Sequence, residues 1–214
     1  MEKTMIKAIL FDFWGTLAEQ GVYSPIKQVR NILRIRMPFP EFVIRFEKAM
    51  MLHPFNDLQD TFLSLGEELN IEITRREMDD LIGMWNKSWM LAELYPEVED
   101  ALKQLKEKYT LVLVANTNKS YVEKVVEKFK LSSYFDKVFL SYQEGMIKTD
   151  REFFLRVVQE LGLSVEECVM VGDSMQSDIL AAQEAGMKAI LVDRKNARDY
   201  APKIARLLEL EGVL

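Results

Sequence analysis

The feature that most constrains the fold is a short apolar run near the start of the chain that ends in a single carboxylate. Residues 9–11 are Ile-Leu-Phe, and Asp12 follows them directly. Such a run favours a strand of a parallel sheet that is covered on both faces. A charge at the carboxyl end of that strand is costly to bury, and ligands of open α/β sheets bind at this edge. Asp12 is therefore a candidate reacting group, although an Asp that caps the next turn would give the same pattern.

From residue 95 onward, short apolar runs alternate with segments of helical periodicity. The predicted strands cover residues 111–114, 138–140, 169–171 and 189–192. The predicted helices cover residues 97–109, 120–130, 152–161, 178–185 and 202–210. Strands that alternate with helices of this length imply right-handed crossovers and a parallel sheet. With the run before Asp12, the pattern predicts an α/β fold with a five-stranded parallel sheet.

Residues 17–94 have a different pattern, in which apolar residues repeat at helical spacing. Four helices are predicted here, on residues 26–33, 42–50, 58–69 and 77–90. Thr74 and Glu77 resemble a capping box at the start of the fourth helix. Four helices in this length form a small bundle inserted after the first strand. We therefore predict a core domain of residues 1–16 and 95–214 and a helical domain of residues 17–94.

Composition excludes several classes of function. With a net charge of −6, the chain has no basic stripe for nucleic-acid phosphates, and no apolar run is long enough to span a membrane. The single Cys168 fits a reducing cytosol, and residues 1–4 leave no room for a signal peptide. We therefore expect a cytoplasmic protein. His53 is the only histidine, which excludes zinc sites built from several histidines.

Polar residues also follow two later predicted strands. Asn116, Thr117 and Asn118 come after the second strand and can donate hydrogen bonds to an oxyanion, although such residues also cap helices. Lys148 follows Gly145 just before a predicted helix. Without context it would be a surface lysine. We expect these residues at the same sheet edge as Asp12.

The most specific segment comes after the fourth predicted strand. Gly172 and Asp173 end that strand, and Asp178 follows five residues later at the start of a predicted helix. With Asp12, these acids form an oxygen-only set next to an anionic substrate, which favours Mg²⁺. Helix capping by Ser177 or Asp178 is the alternative, and it is compatible with a metal site.

The order of these motifs resembles that of the haloacid dehalogenase-like (HAD) hydrolase superfamily, and the likeness covers nearly the whole chain. The matching motifs are Asp12-x-x-Gly-Thr16, Asn116-Thr117, Gly145-x-x-Lys148 and Gly172-Asp173-x-x-x-x-Asp178. The resemblance implies a Rossmann-like core. It also implies that the inserted four helices form an α-helical cap that closes over the sheet edge.

The resemblance implies a role for each matching residue. Asp12 matches a nucleophile that forms a covalent aspartyl intermediate. Mg²⁺ is the implied cofactor, with Asp12, Asp173, Asp178 and the main-chain carbonyl of Trp14 as ligands. Lys148 matches the cation that neutralises Asp12 and the transferring group.

The remaining matches concern the substrate, which the resemblance implies is a small phosphorylated molecule. Asn116 and Thr117 are implied to take part in catalysis. Substrate contacts are implied for Trp14, Gly15, Thr16 and Asn118. We expect neither nucleic acid nor membrane as a partner, and a monomer or a homodimer.

The chain departs from the family pattern at three positions. Trp14 stands where superfamily phosphatases usually carry a second Asp, which serves as leaving-group acid and later as base. An indole cannot transfer that proton, so about 10²- to 10⁴-fold in rate is lost unless another group substitutes. Ala115 replaces the usual Ser or Thr, whose hydroxyl must then come from Thr117 or be absent. Thr149 replaces a Pro, which we take as neutral.

Three hypotheses remain for the reaction. The leading one is a Mg²⁺-dependent phosphatase that favours leaving groups needing little protonation. The second is a 2-haloacid dehalogenase or a phosphonatase-like hydrolase. Dehalogenases tolerate Trp14 but work without metal and lack the pair Asp173 and Asp178, whereas phosphonatases need a cap lysine that no motif identifies here. The third is a non-catalytic phosphate-binding module, which the missing acid and Ala115 would explain.

Overall fold

The structure, a computed structural model, describes residues 5–214, except for the side chains of Ser120 and Tyr121. Residues 1–4, which we assigned to the core domain and in which we expected no signal peptide, lie outside the described residues. Among the helices that are described, none combines the length and the apolar character needed to cross a membrane.

A parallel sheet of six strands forms the centre of the fold. In chain order its strands are β1 (Ala8–Phe11), β4 (Thr110–Ala115), β5 (Lys137–Leu140), β6 (Cys168–Gly172), β7 (Lys188–Val192) and β8 (Lys203–Ile204). Their spatial order is β5-β4-β1-β6-β7-β8. Leu10 of β1 is in register with Val112 of β4 on one side and with Met170 of β6 on the other. The carboxyl ends of these three central strands therefore meet at one edge.

The predicted α/β class is confirmed, but the prediction of five strands and of a helix over residues 202–210 is wrong. Residues Lys203–Ile204 form β8 instead, and Leu207–Gly212 form a 3₁₀-helix. The open edge of β7 needs hydrogen-bond partners, and the Asp193 amide donates to the carbonyl of Ile204 at 2.8 Å. Apolar residues three apart fit three residues per turn, so their spacing did not identify an α-helix.

Helices cover both faces of the sheet. The core helices are α5 (Val98–Lys106), α6 (Lys119–Lys128), α7 (Ser141–Glu144), α8 (Arg151–Leu161) and α9 (Ala181–Glu184). Ile9 and Phe11 belong to one buried apolar cluster, and Ala8 and Leu10 belong to the other. This alternation explains why β1 is apolar throughout, because each of its faces packs against a layer.

Four helices lie in the chain between two short strands, β2 (Ala18–Glu19) and β3 (Glu93–Leu94). These helices, which we call the helical segment, are α1 (Pro25–Ile32), α2 (Phe39–Met51), α3 (Leu58–Leu69) and α4 (Arg75–Met90). All four were predicted, and the capping box of Thr74 and Glu77 is present. The β2 and β3 strands pair antiparallel, so the chain enters and leaves the helical segment at one place. This pairing supports the predicted domain boundaries near residues 17 and 94, which stay a prediction.

The helical segment has an aromatic core of its own. Trp85 of α4 packs against Phe46 of α2, with ring centroids 5.6 Å apart, and against Phe62 of α3, at 5.9 Å. All three side chains are buried. Aromatic contacts of this kind add to the free energy of burial, and they hold α2 in place above the sheet edge.

Candidate active site

Asp12 lies just beyond the end of the central strand. Its amide donates to the carbonyl of Val171 at 3.0 Å, which continues the pairing of β1 with β6 by one residue. The hydroxyl of Thr16 donates to Oδ2 of the Asp12 carboxylate at 3.3 Å. The carboxylate is almost completely buried. A charge buried to this extent needs a partner of opposite charge.

Lys148 is the cation that pairs with Asp12. Its Nζ donates to Oδ1 of Asp12 at 2.5 Å and to Oδ1 of Asp178 at 2.6 Å. Only 2% of Lys148 is exposed, so it is not a surface lysine. Its main-chain amide donates to Oδ1 of Asn116 at 2.9 Å. Groups that follow β1, β4, β5 and β6 in the chain therefore meet at one point, as the parallel sheet predicts.

Two glycines leave room for the acidic side chains to lie directly against the main chain. Gly15 has a φ of +77°, and a Cβ atom there would lie 2.4 Å from Oδ2 of Asp173. A Cβ atom on Gly172 would lie 2.2 Å from Oδ2 of Asp178. Both distances are far below van der Waals contact, so any larger residue would displace an acid of the cluster.

The segment after Asp173 forms one π-helical turn, Met175–Leu180, before α9. The Ser177 amide donates to Oγ of Ser174 at 3.1 Å, so Ser174 is the residue that caps this turn. Asp178 accepts the Ser174 amide on Oδ2 at 2.9 Å while its Oδ1 binds Lys148. Single π-turns often occur at functional sites. Here the turn directs the Asp178 carboxylate toward Lys148.

Three carboxylates crowd together at the sheet edge. Asp12, Asp173 and Asp178 each offer an oxygen, and these oxygens lie within 4.8 Å of one another. Burial raises the pKa of Asp12, and the nearby Lys148 opposes that shift. Burial and the charge of Asp12 raise the pKa of Asp173. Burial alone would lower the pKa of Lys148, but Asp12 and Asp178 raise it above its ordinary value.

The donor set fits a magnesium ion. The three carboxylates carry more negative charge than one lysine can neutralise, and burial together with the charge of Asp12 raises the pKa of Asp173. Hard oxygen donors at such spacing are the ligands that Mg²⁺ takes in proteins. A divalent cation there would remove the repulsion.

A cavity of about 510 Å³ opens above the carboxylates. Asp12, Lys148 and Asp173 line its floor. A row of α2 residues spaced four apart also lines the cavity, namely Phe39, Val43, Glu47 and Met51. Residues four apart lie on the same face of a helix. The helical segment therefore forms part of the cavity wall.

Glu47 is the site residue that the sequence analysis missed. Its Oε2 accepts hydrogen bonds from Nδ2 of Asn116 at 2.9 Å and from Oγ of Ser177 at 3.1 Å. Only 8% of Glu47 is exposed. Burial raises its pKa to about 7, although the positive charge of Lys148 opposes the shift. A signal was present in the sequence, since a charged residue lies midway between Val43 and Met51 at helical spacing.

The comparison with known proteins identifies the family. A family model for haloacid dehalogenase-like hydrolases matches residues 6–186. This chain belongs to the haloacid dehalogenase-like hydrolases. The predicted resemblance to this superfamily is therefore confirmed, and so is the hydrolase class.

Several known proteins resemble this HAD hydrolase along most of their length. It is 37% identical to phosphoglycolate phosphatase of Aliivibrio fischeri over 85% of this chain and 81% of the relative. It is 34% identical to glyceraldehyde 3-phosphate phosphatase of Methanothermobacter thermautotrophicus over 93% and 92% of the two chains. A HAD family enzyme of Bacteroides thetaiotaomicron, solved in complex with magnesium and inorganic phosphate, has the same fold, with a TM-score of 0.60 and 24% identity over 92% and 98%.

In this HAD hydrolase the indole of Trp14 occupies the position at which superfamily phosphatases usually carry a second Asp. Trp14 lines the cavity beside Asp12 and packs edge-on against Phe13, with ring centroids 4.7 Å apart. Gly15 lines the cavity as well. The role of the Trp14 main-chain carbonyl as a metal ligand stays a prediction. The acid that position 14 lacks must come from elsewhere if the enzyme uses one.

The polar residues after β4 do not all face the cavity. Asn116 lines it. The hydroxyl of Thr117 is buried and finds no hydrogen-bond partner within residues 5–214. Thr117 lines a small apolar pocket with Phe13 instead. Asn118 is buried at the start of α6, outside the residues that line the cavity. The hydroxyl that Ala115 lacks is therefore not replaced by Thr117 in this arrangement.

Proposed function

We propose that this HAD hydrolase is a Mg²⁺-dependent phosphohydrolase that acts on a small phosphorylated metabolite through an aspartyl-phosphate on Asp12. The observation that carries the proposal is the buried ion pair of Lys148 with Asp12 and Asp178. A carboxylate can attack a phosphate anion only where positive charge offsets the repulsion between them. The Lys148 ammonium supplies part of that charge at the attacking group itself.

Asp12 and the residues around it have separate roles in the phosphoryl transfer. Asp12 attacks phosphorus, and the leaving alcohol departs on the opposite side. Lys148 orients the carboxylate and stays beside the transferring group. Thr16 holds Oδ2 of Asp12, and Asn116 fixes the main chain of Lys148. This arrangement places the nucleophile without motion of the sheet, which lowers the entropic cost of reaction.

Asp12, Asp173 and Asp178 would hold the magnesium ion, and the resemblance adds the main-chain carbonyl of Trp14. When bound, the ion supplies positive charge that stabilises the pentavalent phosphoryl group. The likeness to an enzyme solved with magnesium and phosphate supports this assignment. The curated relatives, which act on phosphoglycolate and glyceraldehyde 3-phosphate, support a phosphoric monoester as substrate.

We divide the chain into a core of residues 1–16 and 95–214 and a cap of residues 17–94. The position of the helical segment between the paired strands β2 and β3 supports this division. The cap would carry the selectivity for substrate, because α2 supplies one wall of the cavity. The Ser141 hydroxyl donates to the carbonyl of Met51 at 2.6 Å and links the two parts. A cytoplasmic location and a monomer or homodimer stay predictions.

Purified protein on p-nitrophenyl phosphate tests the proposal. We expect p-nitrophenol release with Mg²⁺ and none with EDTA. Asp12→Asn should abolish turnover, because an amide is a poor nucleophile, while the melting temperature shows an intact fold. Asp100→Asn changes an exposed acid of α5 and should leave turnover unchanged. Turnover that survives Asp12→Asn would contradict the assignment of the nucleophile.

The same experiment separates the alternatives. Chloride release from 2-chloropropionate without metal would favour a dehalogenase, for which Trp14 is acceptable. The pair Asp173 and Asp178 argues against that outcome, because a metal-free reaction would have no use for two further acids beside Asp12. Inactivity across a broad panel of phosphate esters would favour a phosphate-binding module without catalysis.

A further inference from the structure

Glu47 occupies a place in the cavity that no part of the proposed chemistry yet uses. We propose that Glu47 is the general acid and base of this enzyme and replaces the carboxyl group that Trp14 excludes. The inference rests on the proposed phosphohydrolase function. It assigns the proton transfer to a residue of α2 rather than to the strand that carries the nucleophile.

The position of Glu47 is fixed from two sides of the core. Asn116 donates to Oε2 of Glu47 through Nδ2 at 2.9 Å and accepts the Lys148 amide on Oδ1 at 2.9 Å. Ser177 donates to the same oxygen at 3.1 Å. One short chain of hydrogen bonds therefore ties Glu47 to the residue that pairs with Asp12. A carboxyl group placed to transfer protons must be held in this way.

Glu47 is also separate from the carboxylate cluster. It comes from α2 of the helical segment and lines the same cavity as Asp12 and Lys148, so a leaving group bound in this cavity would lie beside it. The charged groups that act on it are Lys148 and Asp178. Burial raises the pKa of Glu47 to about 7. An acid with such a pKa exchanges protons readily in neutral solution.

The proton balance of the two steps is complete with Glu47 alone. In the first step, Asp12 forms the bond to phosphorus, the bond from phosphorus to the ester oxygen breaks, and protonated Glu47 gives that oxygen its proton. In the second step, water attacks the aspartyl-phosphate while the Glu47 carboxylate takes a proton from the water. Inorganic phosphate leaves, Asp12 is free again and Glu47 is protonated.

Glu47→Gln tests the inference, because Gln can still accept the hydrogen bonds of Asn116 and Ser177 but cannot give a proton. The probes are p-nitrophenyl phosphate, whose phenolate leaves without an acid, and glycerol phosphate, whose alkoxide does not. We expect first-turnover rates on glycerol phosphate to fall about 10²- to 10⁴-fold, and those on p-nitrophenyl phosphate to fall less than about 10-fold. The variant should show a burst of one p-nitrophenol per active site, because hydrolysis of the aspartyl-phosphate also slows.

Glu41→Gln makes the same change on an exposed position of the same helix and should leave both rates unchanged. A role of Glu47 that is only structural predicts that Gln retains activity, or that both substrates lose activity equally without a burst. Either result would overturn the inference while wild-type turnover upholds the proposed function. Wild-type protein that is inactive on both esters would overturn both.

Discussion

At the scale of single residues, the site depends on charges that the protein buries and then balances. Lys148 offsets two carboxylates and remains charged because both raise its pKa. Glu47 has no ion pair of its own among the described residues and is held by the neutral side chains of Asn116 and Ser177. Its ionisation is therefore costly in the folded protein, which gives a test that does not depend on activity.

Glu47 should make the stability of the protein depend on pH. Its pKa rises from 4.5 to about 7 on folding, so the folded state favours the protonated carboxyl group. The stability that this preference contributes is complete below pH 4.5 and is lost as the pH rises toward 7. Glu47→Gln removes this pH-dependent loss of stability, because the Gln side chain does not ionise. We expect the free energy of unfolding of the variant, relative to wild type, to increase by about 1–3 kcal/mol from pH 5 to pH 8.

Denaturant unfolding in metal-free buffer measures this difference at the two pH values. Glu41→Gln is the control, because an exposed carboxyl group on the same helix has no burial to overcome. A difference between wild type and Glu47→Gln that stays constant with pH would contradict the prediction.

Gly172 offers a second test at this scale. An added methyl group would lie 2.2 Å from Oδ2 of Asp178, whose oxygens are already held by Lys148 and the Ser174 amide. Gly172→Ala should therefore displace Asp178 and lower kcat by about 10²-fold, as small displacements of catalytic groups do.

Gly83→Ala is the matched control, because nothing lies within 4 Å of its added Cβ. In the α4 interior it should stabilise the protein by about 0.5–1 kcal/mol with unchanged kcat; an unaffected kcat in Gly172→Ala would refute the steric argument.

At the scale of elements, the sequence was informative wherever local pattern decides structure. The parallel strands were visible as apolar runs, and the rule that such strands end at one edge placed Asp12, Lys148 and Asp173 together. The two-residue strand β8 was not predictable, because its pairing with β7 is a tertiary contact without periodicity. The role of Glu47 depends on how α2 lies against the sheet, and no local pattern encodes that packing. The direction of the Thr117 hydroxyl likewise depends on the turn after β4.

The capping box at the start of α4 is an element that can be tested alone. Thr74 accepts the Glu77 amide on Oγ1 at 3.3 Å, and Glu77 accepts the Thr74 amide at 3.0 Å. Thr74→Ala should lower the free energy of unfolding by about 1 kcal/mol and leave kcat unchanged. Glu72→Gln, an exposed change outside the box, should have no effect on either. Equal stability of both variants in denaturant would show that the box contributes nothing.

At the scale of the whole molecule, residues from distant parts of the chain form the proposed cation site. Asp12 and Asp173 are separated by the entire helical segment and by most of the sheet. A bound cation therefore stabilises the folded state but not the unfolded one, in which these acids are far apart. The same argument would explain why the crowded acids are tolerated, because a bound cation would offset the repulsion among them.

Magnesium should raise the melting temperature of the wild-type protein by a few degrees, in proportion to the logarithm of its concentration. Asp173→Asn should lose most of that response, because a ligand is removed. It should also melt higher than wild type in EDTA, since burial and the charges of Asp12 and Asp178, which raise the pKa of Asp173, do not penalise a neutral amide. Asp100→Asn should respond to magnesium as wild type does. A magnesium shift that persists in Asp173→Asn would place the ion elsewhere.

The two-stranded ribbon of β2 and β3 has a consequence for how such enzymes diversify. Ala18 pairs with Leu94, so the two ends of the inserted helices are separated by one interstrand spacing of about 4.8 Å. An exchange of everything between them for the corresponding piece of another family member would need no rearrangement of the sheet. If Glu47 transfers the proton, such a graft would transfer the reactivity toward poor leaving groups together with the substrate selectivity. A single exchange of the helical segment would then change both properties of the enzyme.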